Sequence, residues 1–314
     1  MPTASNAEFI VANLEFDSIK SNLKAYLSSQ SYFSDYNFDG SNLNVLLDVL
    51  SYNTYYNNMY LNHVASEMFL DSAQVRDSVY SHAKKLNYLP TSYRSSVAYA
   101  NVQITPGDNS HSIDIPRLTK FTTTVGDNTY TFSTNSAISV YSNNSYLAAN
   151  VALYEGEIVT EFYDANSTSN TFYISNYDVD TTSITVNIRT SNTNTTNTEW
   201  SRANTLYDVG STSNVFFVQA AANGSYELVF GNDTFGRKLT DGNIVEATYR
   251  ISSGAEPDGA NVFTSAAAIS GYSTVAATVV ERASGGQVFQ SLDDIKFAAP
   301  RALTTQERAV TAND

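Results

Sequence analysis

Over the first 95 residues, apolar side chains recur with a helical period. Phe16, Ile19, Leu23, Tyr26 and Leu27 fall on one face, with Asp17, Lys20, Asn22 and Lys24 off it, which predicts a first helix. The turn Phe38-Asp39-Gly40-Ser41 offers Asp39 and Ser41 as caps for a second helix from Leu43 to about Asn62. That stretch carries Val45, Leu46, Leu47, Val49 and Leu50, then Tyr52, Tyr55, Tyr56, Met59 and Tyr60. Its apolar surface is wider than one packing stripe requires, so neighbours on two sides are expected. A third pattern opens at Asp71-Ser72 and runs through Val75, Val79, Ala83 and Leu86. It closes at Tyr88-Leu89-Pro90, with Lys84 and Lys85 placed to complement the negative helix end.

After Pro90 the period changes to two. Ala98, Ala100, Val102 and Ile104 alternate with Tyr99, Asn101 and Gln103, and Pro106 to Ser110 reads as a turn. Short strands are expected at Ser112–Ile115, Phe121–Val125, Tyr130–Phe132, Ile158–Tyr163, Thr171–Ile174, Ser183–Arg189, Val215–Val218, Tyr226–Phe230 and Asn243–Arg250. Gly, Asn and Asp turns between them indicate an antiparallel sandwich or barrel-like domain. The tract Ser191 to Thr198 reads as an exposed loop tip, and Val262 to Val280 is ambiguous between strand and packed loop.

Gly285-Gly286 then reads as a hinge before a short amphipathic helix interrupted at Pro300 and a second helical start. Neither a Gly cap nor a basic last turn closes it, so a fragment, or the ordered part of a longer chain, is expected. The fold class expected is α+β. Residues 1–95 form a helical domain, 96–284 a β domain with a Ser/Thr/Asn-rich elaboration about 140–225, and 285–314 the start of a helical region.

Composition narrows function mainly by exclusion. The 314 residues contain no cysteine, which removes disulfide scaffolds, thiolate metal sites and thiol nucleophiles. A net charge of −14 gives no electrostatic reason to bind nucleic-acid backbones. No apolar run approaches the ~20 residues needed to cross a bilayer. Met1 to Glu8 lacks a signal-peptide pattern, so folding in a cytoplasm is expected. His63, His82 and His111 stand in no metal-binding spacing, and no nucleophile elbow, phosphate loop or dinucleotide fingerprint occurs. Glu155 and Glu157 would share one face of a strand, yet glycosidase carboxylates usually come from separate elements and two solvated glutamates on a strand are far commoner. Asp293 and Asp294 suit the first turn of a helix. Neither an enzyme, a cofactor, a metal nor a small-molecule substrate is expected.

The run Phe230-Gly231-Asn-Asp-Thr-Phe-Gly236-Arg-Lys-Leu239, with Gly242, Tyr249 and Ser253-Gly254, reads as a pair of hairpins. It also resembles the central β motif of the baseplate-J-like family, which supplies wedge proteins to contractile phage tails and related injection machines. Ser291 to Ile295, Ala299-Pro300 and Arg308 to Asp314 are similar to the next signature of that family. Phe38 to Asn57, Glu67 to Ser72 and Ser81 to Lys84 are similar to the opening of the wedge protein in myoviruses with large baseplates. The family continues past the last of these blocks, and residues 140–225 have no counterpart in the motifs.

The resemblance implies a structural subunit of the virion tail baseplate, assembled in the host cytoplasm. Its partners would be itself, through dimer contacts building a ring, other wedge subunits, the hub and sheath-initiating proteins. Tyr52, Tyr55, Tyr56 and Tyr60 are assigned to an N-terminal contact surface, since Tyr offers rigid contact area; lining the domain's own core remains open. Asp293, Ile295, Phe297, Arg301 and Arg308 are assigned to an inter-subunit helical bundle, and Gly231, Gly236, Gly242 and Gly254 to structural turns. The alternative is a receptor-binding, fibre-type protein whose Tyr- and Asn-rich loops hold glycans. A polysaccharide-cleaving enzyme ranks third.

Overall fold

The computed structural model describes residues 12, 14–33, 37–108, 110–166, 169–194, 196–206 and 208–305. Helices α1 (Phe16–Ser28) and α2 (Leu43–Glu67) pack together and bury Ile19 and Leu47. Lys20 pairs with Asp48 at 2.5 Å, and the Phe16 and Tyr52 rings meet edge-on at 6.1 Å. Asp39 does not cap α2. Its carboxylate pairs with Lys24 on α1, and that hydrogen bond and charge hold it below the usual carboxylate range.

Helix α3 starts at Arg76 and ends at Lys85, later than Asp71-Ser72 suggested. The reason is a substitute cap. Glu67, at the end of α2, reaches back to accept the Gln74 amide at 2.8 Å and the Val75 amide at 3.2 Å. Burial pushes its carboxyl up, but these donors prevail and hold it low. Residues 69–75 are thereby fixed as turns instead of a first helical turn.

The β region forms two large sheets. One is six-stranded: β1 (Val97–Ile104), β3 (Lys120–Val125), β4 (Asn128–Thr134), β6 (Leu147–Glu155), β14 (Thr264–Ser265) and β15 (Val275–Ser284) lie in the order β14-β3-β4-β6-β1-β15. The other is seven-stranded: β7 (Glu157–Asp164), β8 (Thr171–Tyr173), β9 (Val179–Arg189), β10 (Asn197–Arg202), β11 (Val215–Ala220), β12 (Tyr226–Phe230) and β13 (Ile244–Ile251) lie in the order β7-β13-β9-β10-β11-β12-β8. A small ribbon pairs β2 (Ser112–Ile115) with β5 (Ile138–Tyr141). All named pairs are antiparallel except β10 with β11, so the sheet is mixed where a purely antiparallel one was expected. The long excursion of residues 203–214 between the two strands allows that parallel return.

Both sheets are rolled until their edges meet. The Tyr163 hydroxyl on β7 donates to the Tyr173 carbonyl on β8 at 3.0 Å, and Phe263 beside β14 bridges to Ala277 of β15. Each has its own core. Phe121, Phe132, Leu153 and Phe263 fill the first, and Val186, Trp200, Phe216, Leu228, Phe230 and Tyr249 the second. The second core also takes in Val79, Tyr80 and Ala83 from α3 and Ile295 and Ala299 from α4 (Leu292–Thr305). The fold is therefore the expected α+β arrangement: a helical N-terminal region, a barrel-like β region and a C-terminal helix. Residues 140–225 supply β6 to β11, including interior strands of both sheets.

Candidate functional site

Two helical faces turn exposed side chains outward. Along α2, Leu47, Ser51, Asn62 and Ala65 are buried and mark the inward stripe. Asn62 also holds the preceding chain, accepting the Ala12 amide at 2.8 Å. Away from this stripe, Val45, Val49, Tyr52, Tyr56, Tyr60 and Val64 are exposed. From Val49 to Ser66 the helix has no Asp, Glu, Lys or Arg. Tyr52 and Tyr56 meet edge-on at 4.8 Å, with hydroxyls 3.2 Å apart, and Tyr55 joins Tyr56 at 5.7 Å. Tyr60 stands 61% exposed on the same helix. An apolar, uncharged aromatic strip of this extent on one helix is the composition of an interface core.

Helix α4 divides its residues. Ser291 caps it, its Oγ accepting the Asp294 amide at 3.1 Å, while Asp293 sits in the first turn and pairs with Lys296 at 3.5 Å. Ile295 is fully buried in the chain's own core, so it is unavailable to a partner. Phe297 is 62% exposed, with the Arg301 guanidinium lying over its ring. The helix runs unbroken through Pro300, contrary to the interruption expected there. Pro removes one amide, but Ile295 and Ala299, anchored in the core beside α3, hold the turn before it. Arg308 lies outside the described residues.

The glycines fix close approaches. A Cβ on Gly231 would sit 2.1 Å from the Gly236 backbone, and Gly236 has φ +80. One on Gly254 would stand 2.9 Å from the Gln287 carbonyl oxygen. Gly242, at φ +82, has open space around it and serves the turn alone.

Between the sheets lies a buried polar joint. Glu155 closes β6 and accepts the Ser252 hydroxyl at 2.7 Å and the Ser253 amide at 3.2 Å. Glu157 opens β7 in the other sheet beyond Gly156, so the two carboxylates are not a same-face pair. Both line a cleft of about 420 Å³ with Tyr93, Tyr130, Asp178 and Glu256. Arg250 and Asp180 complete the joint, and sequence reasoning missed them. Arg250 keeps the alternation of Glu246 and Thr248 on β13, and the register shift against β9 brings Asp180 opposite it, so nothing in the β13 pattern marks Arg250 as buried. Among the described residues no group of three or more His, Cys, Asp or Glu is placed to hold a metal, and no helix is long and apolar enough to cross a membrane.

The exposed strip falls within a matched family domain. Residues 15–88 match the model for the helical domain of baseplate wedge proteins of the gp6-like kind. Across 99% of its length the chain is also 29% identical to the baseplate wedge protein gp6 of Enterobacteria phage T4, and it spans about half (50%) of that protein. The cryo-EM structure of the anti-feeding prophage baseplate matches over 97% of this chain and 63% of that one, at 11% identity and a TM-score of 0.34. That last likeness is too slight to argue from. The resemblance read in the N-terminal motifs is thus borne out by a gp6-like domain holding α1, α2, α3 and every Tyr of the exposed strip.

Proposed function

We propose that the chain is a structural, non-catalytic subunit of a contractile-phage tail baseplate wedge. It self-associates into a ring around the central hub and couples baseplate rearrangement to sheath contraction. The observation that carries this reading is the uncharged aromatic strip of α2 inside the gp6-like domain. Solvent exposure of Val45, Val49, Tyr52, Tyr56, Tyr60 and Val64 costs free energy that a partner surface would recover, at about 25 cal/mol per Å² of apolar area covered. The outward half of α4, with Asp293, Phe297 and Arg301, is the second contact surface, toward other wedge subunits.

Sedimentation velocity tests the self-association. The chain is expected to form dimers or larger species at micromolar concentration. A Tyr56→Ser/Tyr60→Ser variant, which leaves the Tyr52 contact with Phe16 in place, is expected to sediment as a monomer while still unfolding cooperatively. A wild-type chain that stays monomeric to the highest soluble concentration overturns this part of the reading.

A further inference from the structure

The glycine pair 285–286 sits where a flexible hinge was expected, yet the backbone around it is paired. Arg94 and Gln287 exchange two backbone hydrogen bonds, at 2.9 and 3.0 Å. The Gln290 amide donates to the Thr91 carbonyl at 2.9 Å, and the Gln290 side chain accepts from the Thr91 amide and the Tyr88 hydroxyl. These pairs continue, without a change of register, the Val97–Ser284 pair that closes the β1–β15 ladder. Side chains lock the same ribbon. Phe289 packs on Tyr93 at 5.4 Å and under the Arg76 guanidinium of α3 at 4.8 Å. Arg76 in turn donates to the Gly224 carbonyl at 2.7 Å. Gly286 donates to Asp258, whose carboxylate also takes the Ser96 hydroxyl at 2.5 Å. A Cβ on Gly286 would lie 2.2 Å from the Gly254 carbonyl oxygen, so this glycine answers to close backbone approach.

The geometry points to a strap: residues 286–290, zipped to 91–94, bind α3 and α4 to the β1–β15 pair as one mechanical unit. A hinge absorbs a helix displacement in a few free φ/ψ angles. A two-chain ribbon that continues the end of the β1–β15 ladder passes it on, across the register shifts between Val97 and Ala100. Whatever displaces α4 therefore pulls β1 and β15 together from the same end, and the neighbouring strand β6 bears the shear. The strap also reaches the other sheet, since Ser92 bonds Thr181 at 2.8 Å and the Ser95 amide donates to Asp180 at 2.9 Å. It is a property of the chain itself and stands whether or not the baseplate assignment does.

Amide hydrogen exchange on the purified chain tests it. The Arg94, Gln287 and Gln290 amides are expected to exchange at least about 100-fold slower than an unstructured peptide, alongside the β1 and β15 amides in one cooperative unit. Exchange within about tenfold of the unstructured rate at Gln287 and Gln290, with β1 and β15 still protected, overturns the strap and restores the hinge. Because the chain lacks cysteine, an Arg94→Cys/Gln287→Cys variant provides a second reading. Complete disulfide formation under mild oxidation, with the melting temperature kept or raised, supports the strap. Failure to close, or closure only with loss of the fold, contradicts it.

Discussion

The Arg250 guanidinium on β13 donates to the Ser133 hydroxyl on β4 at 2.6 Å, joining the two sheets through a buried charge. It also donates to Asn135 and, at 3.3 Å, to the Tyr154 carbonyl. Burial lowers its pKa to about 10, with Asp180 and Glu155 opposing the shift, so it stays charged at neutral pH. Removing it strands its acceptors and leaves Asp180 without that cation. Arg250→Met is expected to cost about 3 kcal/mol or more in urea unfolding. A loss under about 1 kcal/mol would show that the joint is not held this way.

Glu155 makes a pH-dependent contribution. Burial is the main influence and raises its pKa above the ordinary 4.5, against the pull of the Ser252 and Ser253 donors and Arg250. A raised folded-state value means the folded chain holds the proton more tightly than the unfolded chain does. Its stabilising contribution is therefore complete below the unfolded value and is lost as pH rises through the folded one. Glu155→Gln, which cannot ionise, should gain on the wild type between mildly acid and neutral pH. The check is the difference in unfolding free energy at the two ends of that range; a difference moving the other way contradicts the placement of Glu155.

Gly231 and Gly242 should respond differently to alanine. At Gly242 only the left-handed backbone is strained, for about 1–2 kcal/mol. At Gly231 the new methyl meets the Gly236 backbone, which has no side chain to move aside. Thermal unfolding should therefore rank Gly231→Ala as clearly the more destabilising, and equal losses would reject the close approach.

On α4, stability and assembly should separate. Ile295→Ala empties a fully buried site beside α3 and is expected to cost about 2–5 kcal/mol. Phe297→Ala gives up an exposed ring and its Arg301 contact, for about 1 kcal/mol or less. Pull-down with other wedge subunits should fail for Phe297→Ala while its melting temperature stays near wild type.

The helices and most strands were legible because each has a clean period. The misses have physical causes. Strand β6 has a left-handed residue at Asn150 and a register shift against β1, so its alternation is broken. Strand β10 buries only Trp200 within a polar tract, and β5 is four residues long. Helix α2 packs on α1 among the described residues and leaves its other face exposed, and which Tyr faces outward depends on where α1 packs. The buried joint was invisible for a different reason. Arg250, Asp180 and Glu155 come from separate strands, and the irregularity of β9 that sets Asp180 opposite Arg250 leaves no mark in the sequence.

Cryo-electron microscopy of the virions that carry this chain tests the central claim most directly. The expected result is density for the chain in a ring at the tail baseplate, with the α2 tyrosines at a contact between subunits. Density confined to the tail fibres or the capsid would contradict it.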